Sequence, residues 1–237
     1  MNKLCSFMRA LPLVLLALLA ACAQPEWVPG DTSAPPLPER VYRDAVRQGE
    51  AVYRVDSQRS RVFMRTGRDG PMKAAGHDHV IASVDVEGLV LVSTDPERSR
   101  ADLRLPLQQL VVDDPAYRER FGMEPDLPES AIEGTTRNMQ DKVLESSRFP
   151  WATASVRVLS MQDGQAELGV SVNLHGMSFD YRVPASLTVD PKNLSVTGSM
   201  TVGHADFGMT PFSAAGGLLR VADDIEIVFD IVAERGT

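Results

Sequence analysis

The chain holds four histidines, and two of them, His77 and His79, flank Asp78 in the stretch Ala74-Ala75-Gly76-His77-Asp78-His79-Val80-Ile81-Ala82. If residues 77–81 are extended, side chains at i and i+2 share a face with alpha carbons about 6.5–7 Å apart, so both imidazoles can reach one metal ion. A pair falls short of zinc's usual three protein ligands. His204 shares strand parity with Met200 and Val202, which makes it the expected third ligand. His175 shares parity with Ser171 and Asn173, opposite the apolar row, and is expected to point out. A trio of His77, His79 and His204 with an open position would hold zinc and activate water; a histidine-only set suits copper or haem iron equally well. Asp78 would face the other way. Two further roles stay open for the pair: polar contact to a ligand headgroup, or satisfaction of backbone groups at a turn or bulge set by Gly76.

Little else in the chain offers chemistry. There is no Gly-x-Ser-x-Gly element and no phosphate-cradling glycine loop, and Asp206-Phe207-Gly208 lacks the glycine-rich and catalytic loops that a kinase needs. The start, MNKLCSFMRALPLVLLALLAACAQ, has basic Lys3 and Arg9, an apolar run from Leu11 to Leu19, and small residues leading into Cys22. That run is too short to span a bilayer and reads as a secretory signal. Its Leu-Ala-Ala-Cys ending resembles a bacterial lipoprotein signal. The resemblance implies that residues 1–21 are removed, that Cys22 carries acyl chains, and, with Ala23 next, that the protein sits on the outer membrane facing the periplasm. Cys5 would leave with the signal, so no thiol would remain for a disulfide or a thiolate metal site. The formal charge of −8 becomes −10 once residues 1–21, with two basic residues and no acid, are gone. Such an acidic surface argues against nucleic-acid partners and against adhesion to anionic lipid through basic patches.

The elements that must position the histidines are read from periodicity. Residues 22–50 are expected as the lipidated cysteine and a Pro/Gly-rich tether, with a short helix over 41–50. Residues 51–237 form one domain of ordinary size. Ala166, Leu168, Val170, Val172 and Leu174 alternate with polar or small residues, as do Phe179 to Val189 and Ile225 to Ile231. Further strands are expected near 51–56, 61–66, 84–92, 101–106, 153–160 and 195–203. Each has one apolar face. Turn signals at 94–96, 162–164 and 190–193 make neighbours antiparallel, and closing the sheet into a barrel would remove its exposed edges. Ile132, Thr136, Met139, Val143 and Leu144 recur at helical spacing up to Pro150, which predicts one helix in a long crossover. The stretch 113–127 reads as a loop with a helical turn, with Arg118, Glu119 and Arg120 solvated.

Four stretches in order resemble the YceI-like family: Val52-Tyr53-Arg54-Val55-Asp56 followed by Ser60-Arg61-Val62-Phe63; Ile132 through Phe149-Pro150; Leu174-His175-Gly176-Met177-Ser178; and Asp206-Phe207-Gly208-Met209. The resemblance implies an all-β, lipocalin-like antiparallel barrel of about eight strands around an apolar lumen that binds a polyisoprenoid chain, a quinone or a similar lipid, without catalysis. Gly76-His77-Asp78-His79 and a longer 113–130 loop depart from the lipid-binding members. The candidate ligand-binding residues are His77, His79, Trp151, His204, Phe207 and Phe212. Trp151 is placed at a strand entrance, and Phe207 and Phe212 flank a loop that could rim the barrel. The competing function is a metal-binding or metal-dependent protein built on His77 and His79.

Overall fold

The computed structural model describes residues 32–236, so the expected signal and Cys22 lie outside the described residues. Within them the helices are α1 (Glu39–Arg47), α2 (Pro115–Arg120) and α3 (Glu129–Asn138). The strands are β1 (Ala51–Val55), β2 (Arg61–Asp69), β3 (His79–Ser83), β4 (Glu87–Val92), β5 (Arg100–Pro106), β6 (Val111–Val112), β7 (Trp151–Gln162), β8 (Gln165–Leu174), β9 (Met177–Val189), β10 (Asn193–Gly203), β11 (Ser213–Ala214) and β12 (Leu219–Arg235). Eight of them close a ring in the order β1-β4-β5-β7-β8-β9-β10-β12, with β1 pairing back to β12. The 17-residue β12 makes this closure. One of its edges carries β10 over Asp224 to Glu234, and β11 pairs with it at Leu219 and Arg220; β2 pairs over Arg220 to Asp230 and β1 over Ala233 to Arg235. β3 and β6 extend the wall beyond β2.

All of these pairings are antiparallel, as alternating strands with short links require. Between β8 and β9 the link is only His175-Gly176, both at positive φ, 55° and 76°. That is the two-residue turn whose twist matches the strands it joins. His175 accepts this strained backbone, stacks on Phe149 at 4.1 Å and reaches Glu145 at 3.2 Å. The ring therefore sits at the hairpin tip, off the wall.

The long crossover runs from β6 to β7 and contains α2 and α3. The α3 helix loosens over Met139–Val143 into a π turn, with Leu144 N–H donating to the Met139 carbonyl five residues back at 2.9 Å. The added residue keeps Leu144 on the same inward side as Met139 and Val143, and all three pack with Ile81, Leu107 and Val202 at one end of the barrel.

Two patches of the barrel's outer face are also apolar, and each is covered. Phe63, Val80 and Ala82 lie beneath Tyr117, Phe121 and Met123 of the α2 region. Leu89 and Leu91 lie beneath Tyr42 and Ala45 of α1. This second cover comes from within the stretch 22–50. The α1 segment is docked, with Tyr42 only 2% exposed and its hydroxyl donating to Asp102 at 2.6 Å. An amphipathic turn placed next to an outward Leu89-Leu91 pair buries both apolar surfaces. Burial and the Asp102 bond push the Tyr42 hydroxyl pKa well above its ordinary value. Asp102 is also held by Arg100 and Ser155, so Tyr42→Phe leaves the carboxylate satisfied and costs about 1 kcal/mol in urea unfolding.

Candidate functional site

The inward rows of the ring enclose a cavity of about 790 Å³. Its walls are apolar: Val156, Leu168 and Val170 on one side, Val196, Ile227 and Phe229 on the other. The lining extends from His77, His79 and His204 at the end covered by Met139, Val143 and Leu144 to Val92, Met161 and Val189 at the opposite end. Period-two alternation places these side chains, because each strand must turn one row inward and the opposite row outward. Polar groups inside gather at the histidine end.

His79 is the first residue of β3 and shares its inward face with Ile81. Its ring is 13% exposed, and Nδ1 lies 2.6 Å from Oδ2 of Asp113, a carboxylate with no exposed side-chain surface. The other oxygen of Asp113 accepts from Arg118 Nη1 at 2.6 Å and from the Val80 amide at 3.1 Å. Arg118 is 3% exposed and also donates to the carbonyls of Asp78 and Glu124. Burial alone would raise the Asp113 pKa. The His79 bond, the Val80 amide and Arg118 outweigh it and hold the carboxyl below its ordinary value. With Asp113 ionised, the proton of the shared bond lies on His79 Nδ1, and Nε2 is turned away from Asp113.

His204 follows β10 in the short turn His204–Phe207 and is 4% exposed. Its Nδ1 lies 2.8 Å from the Asp223 carbonyl. A carbonyl only accepts, so Nδ1 carries the proton here too. Asp206 closes this turn by accepting from the Gly203 amide and the Tyr181 hydroxyl, and these bonds hold its carboxyl below the ordinary range. Phe207 is buried in the core at this end, and Gly208 comes so close to Met177 that an added Cβ would meet the sulfur at 2.8 Å. The Asp-Phe-Gly element is thus a clamp between β10 and β9.

His77 precedes β3 and is exposed at the rim, while Asp78 turns away to Arg68, with its Oδ1 3.1 Å from the Arg68 amide and 3.4 Å from Nε. Phe212 lines the cavity under Lys142, whose ammonium is 5.1 Å from the ring centre. Trp151 does not line the cavity. It pairs with Pro106, and its ring lies against the Arg104 guanidinium and donates to the Thr32 carbonyl at 3.2 Å. Its neighbour Ala152 takes the inward place.

The expected metal trio is not assembled. Among the described residues no three His, Cys, Asp or Glu side chains gather into a group that could hold a metal ion. His79 and His204 each commit Nδ1 to the protein, and β3 begins only at His79, so His77 does not continue its strand face. The expectation that Arg118 is solvated is also corrected: it is the buried partner of Asp113. The pair Asp113–Arg118 is what the sequence reading missed. Asp114-Pro115 marks a helix start, and Asp114 does cap α2 by accepting from the Ala116 amide. Nothing linear joins Asp113 to a histidine 34 positions away.

The model of the YceI-like domain matches residues 53–233. Among solved structures, BcnA of Burkholderia cenocepacia superposes with a TM-score of 0.56 at 12% identity, covering 75% of this chain and 98% of that one. A polyisoprenoid binding domain from Saccharophagus degradans, described as implicated in plant cell wall breakdown, gives 0.55 at 13% identity, covering 78% and 98%. A mutant YceI protein of Campylobacter jejuni gives 0.50 at 11%, covering 66% and 85%. No curated protein matches the sequence. At these identities the structures bear on the fold alone, whereas the domain match spans most of the chain: the protein belongs to the YceI-like family.

Proposed function

We propose that this protein binds one apolar chain, a polyisoprenoid, quinone or similar lipid, inside its barrel, and that acyl groups on Cys22 hold it on the periplasmic side of the outer membrane. It acts by binding and not by catalysis. The observation that carries this reading is the apolar cavity of about 790 Å³ within a closed ring of strands. That volume falls in the range of small-molecule sites. Each methylene moved from water into such a space contributes about 0.8 kcal/mol, so about ten of them suffice for micromolar binding with few polar contacts. The Saccharophagus degradans neighbour, named for polyisoprenoid binding, supports the same class of ligand.

The test is native mass spectrometry of the full-length protein extracted in mild detergent from its own membranes. The expected spectrum shows one stoichiometric, organic-extractable chain whose occupancy a chelator does not change, and a diacylglyceryl mass increment that Cys22→Ala removes. A protein purified without any lipid in the barrel, and unable to take one up, would end the proposal.

A further inference from the structure

We infer that the histidine end of the cavity is a hydroxyl-recognition site: His79 Nε2 accepts a hydrogen bond from a terminal hydroxyl of the bound chain, and Thr66 Oγ1 donates one to the same oxygen. This rests on the chain-binding reading above and names the ligand's polar end.

Three observations converge. First, Asp113 fixes a proton of His79 on Nδ1, at 2.6 Å, so in the neutral imidazole the nitrogen on the far side of the ring is an acceptor. Second, Thr66 stands directly across from His79 in the β2–β3 register and lines the same cavity, and its hydroxyl oxygen is buried with no hydrogen-bond partner. A buried unmet hydroxyl is costly, and a ligand oxygen would relieve it. Third, the cations that line this end are already paired. Arg68 is bound to Asp78 and to the Gly76 carbonyl, and Arg220 to Asp69 at 2.8 Å. An anionic head would find imidazole lone pairs backed by the Asp113 carboxylate. A carbonyl or ether head could satisfy Thr66 but would leave His79 unmet. Of these heads, only a hydroxyl both donates and accepts. The fitting class is therefore a long-chain alcohol or a phenol.

The test uses the full-length protein, stripped of lipid by detergent exchange and titrated calorimetrically with geranylgeraniol, its methyl ether and geranylgeranyl phosphate. The expected result is that the alcohol binds roughly tenfold tighter than the ether, the difference that one satisfied buried polar pair supplies. In His79→Phe that preference falls below about twofold while ether affinity is kept, which also reports an intact barrel. Thr66→Val gives an intermediate loss of about threefold. Equal binding of alcohol and ether by the wild type, or phosphate as the tightest ligand, overturns the hydroxyl site and leaves chain binding standing. Failure of all three chains to bind overturns both.

Discussion

Asp113→Ala is expected to lower the unfolding free energy by about 3–5 kcal/mol, measured by urea denaturation of the full-length protein in detergent. The substitution leaves Arg118, 3% exposed, as a buried cation without its counter-charge, and it orphans the Val80 amide and the His79 ring together. Arg118 keeps its bonds to the Asp78 and Glu124 carbonyls, but neutral acceptors do not replace a carboxylate at 2.6 Å. Asp113 also stands at φ 52°, a left-handed conformation that Asn and Asp tolerate better than Ala. Asp113→Asn, which keeps the shape and the backbone preference, should therefore cost less than Asp113→Ala. Removing the cation as well, in Asp113→Asn with Arg118→Met, should recover part of the loss, so that the two single effects do not add. A pH dependence follows with a definite sign. Folding holds the Asp113 carboxyl below its ordinary value, so its contribution is complete above the unfolded pKa and is lost as pH falls through the depressed native one. Wild-type stability should drop more steeply under acid than that of the Asn variant, and parallel pH profiles would count against the buried pair.

What the chain declares about this fold is declared by repetition. Alternation in 166–174, 179–189 and 225–231 is long enough to place these strands and their inward rows, and the spacing of Ile132, Met139 and Val143 does the same for the crossover helix. Features that depend on single contacts between distant segments are silent in sequence. Arg118 sits in a run of charges, Arg118-Glu119-Arg120, whose pattern is that of a solvated turn, and only the fold brings it under β3. The same holds for α1: Tyr42 is one aromatic in a polar helix until Leu89 and Leu91 appear beneath it. His79 and His204 illustrate a middle case. Parity turns His204 toward the lumen and puts His79 on one face with His77, but the proton on each Nδ1 is set by Asp113 and by the Asp223 carbonyl, which no spacing rule connects to them. Trp151 shows the opposite case: its place at the strand entrance after Phe149-Pro150 makes it a candidate ligand contact, while one step of strand pleat sends it to the outer face.

Filling the lumen separates a container from a packed core. Met200 faces inward from the middle of β10 opposite Ile227, and both line the cavity. Met200→Trp should fit into unoccupied space, and the indole would take the volume of about three or four ligand methylenes. At about 0.8 kcal/mol each, affinity for geranylgeraniol should fall by roughly a hundredfold. Because the added ring gains contacts where there were none, the unfolding midpoint should stay level or rise. A lumen already filled to native density would respond the other way: the larger side chain would have to displace neighbours at a cost of about 1–3 kcal/mol, and the unfolding midpoint would drop. Tight binding with a level midpoint would place the ligand elsewhere on the barrel. Lost binding with a falling midpoint would mean that the strands enclose a solid interior. Only loss of binding with stability retained fits an open, oily tube whose polar end is read by His79.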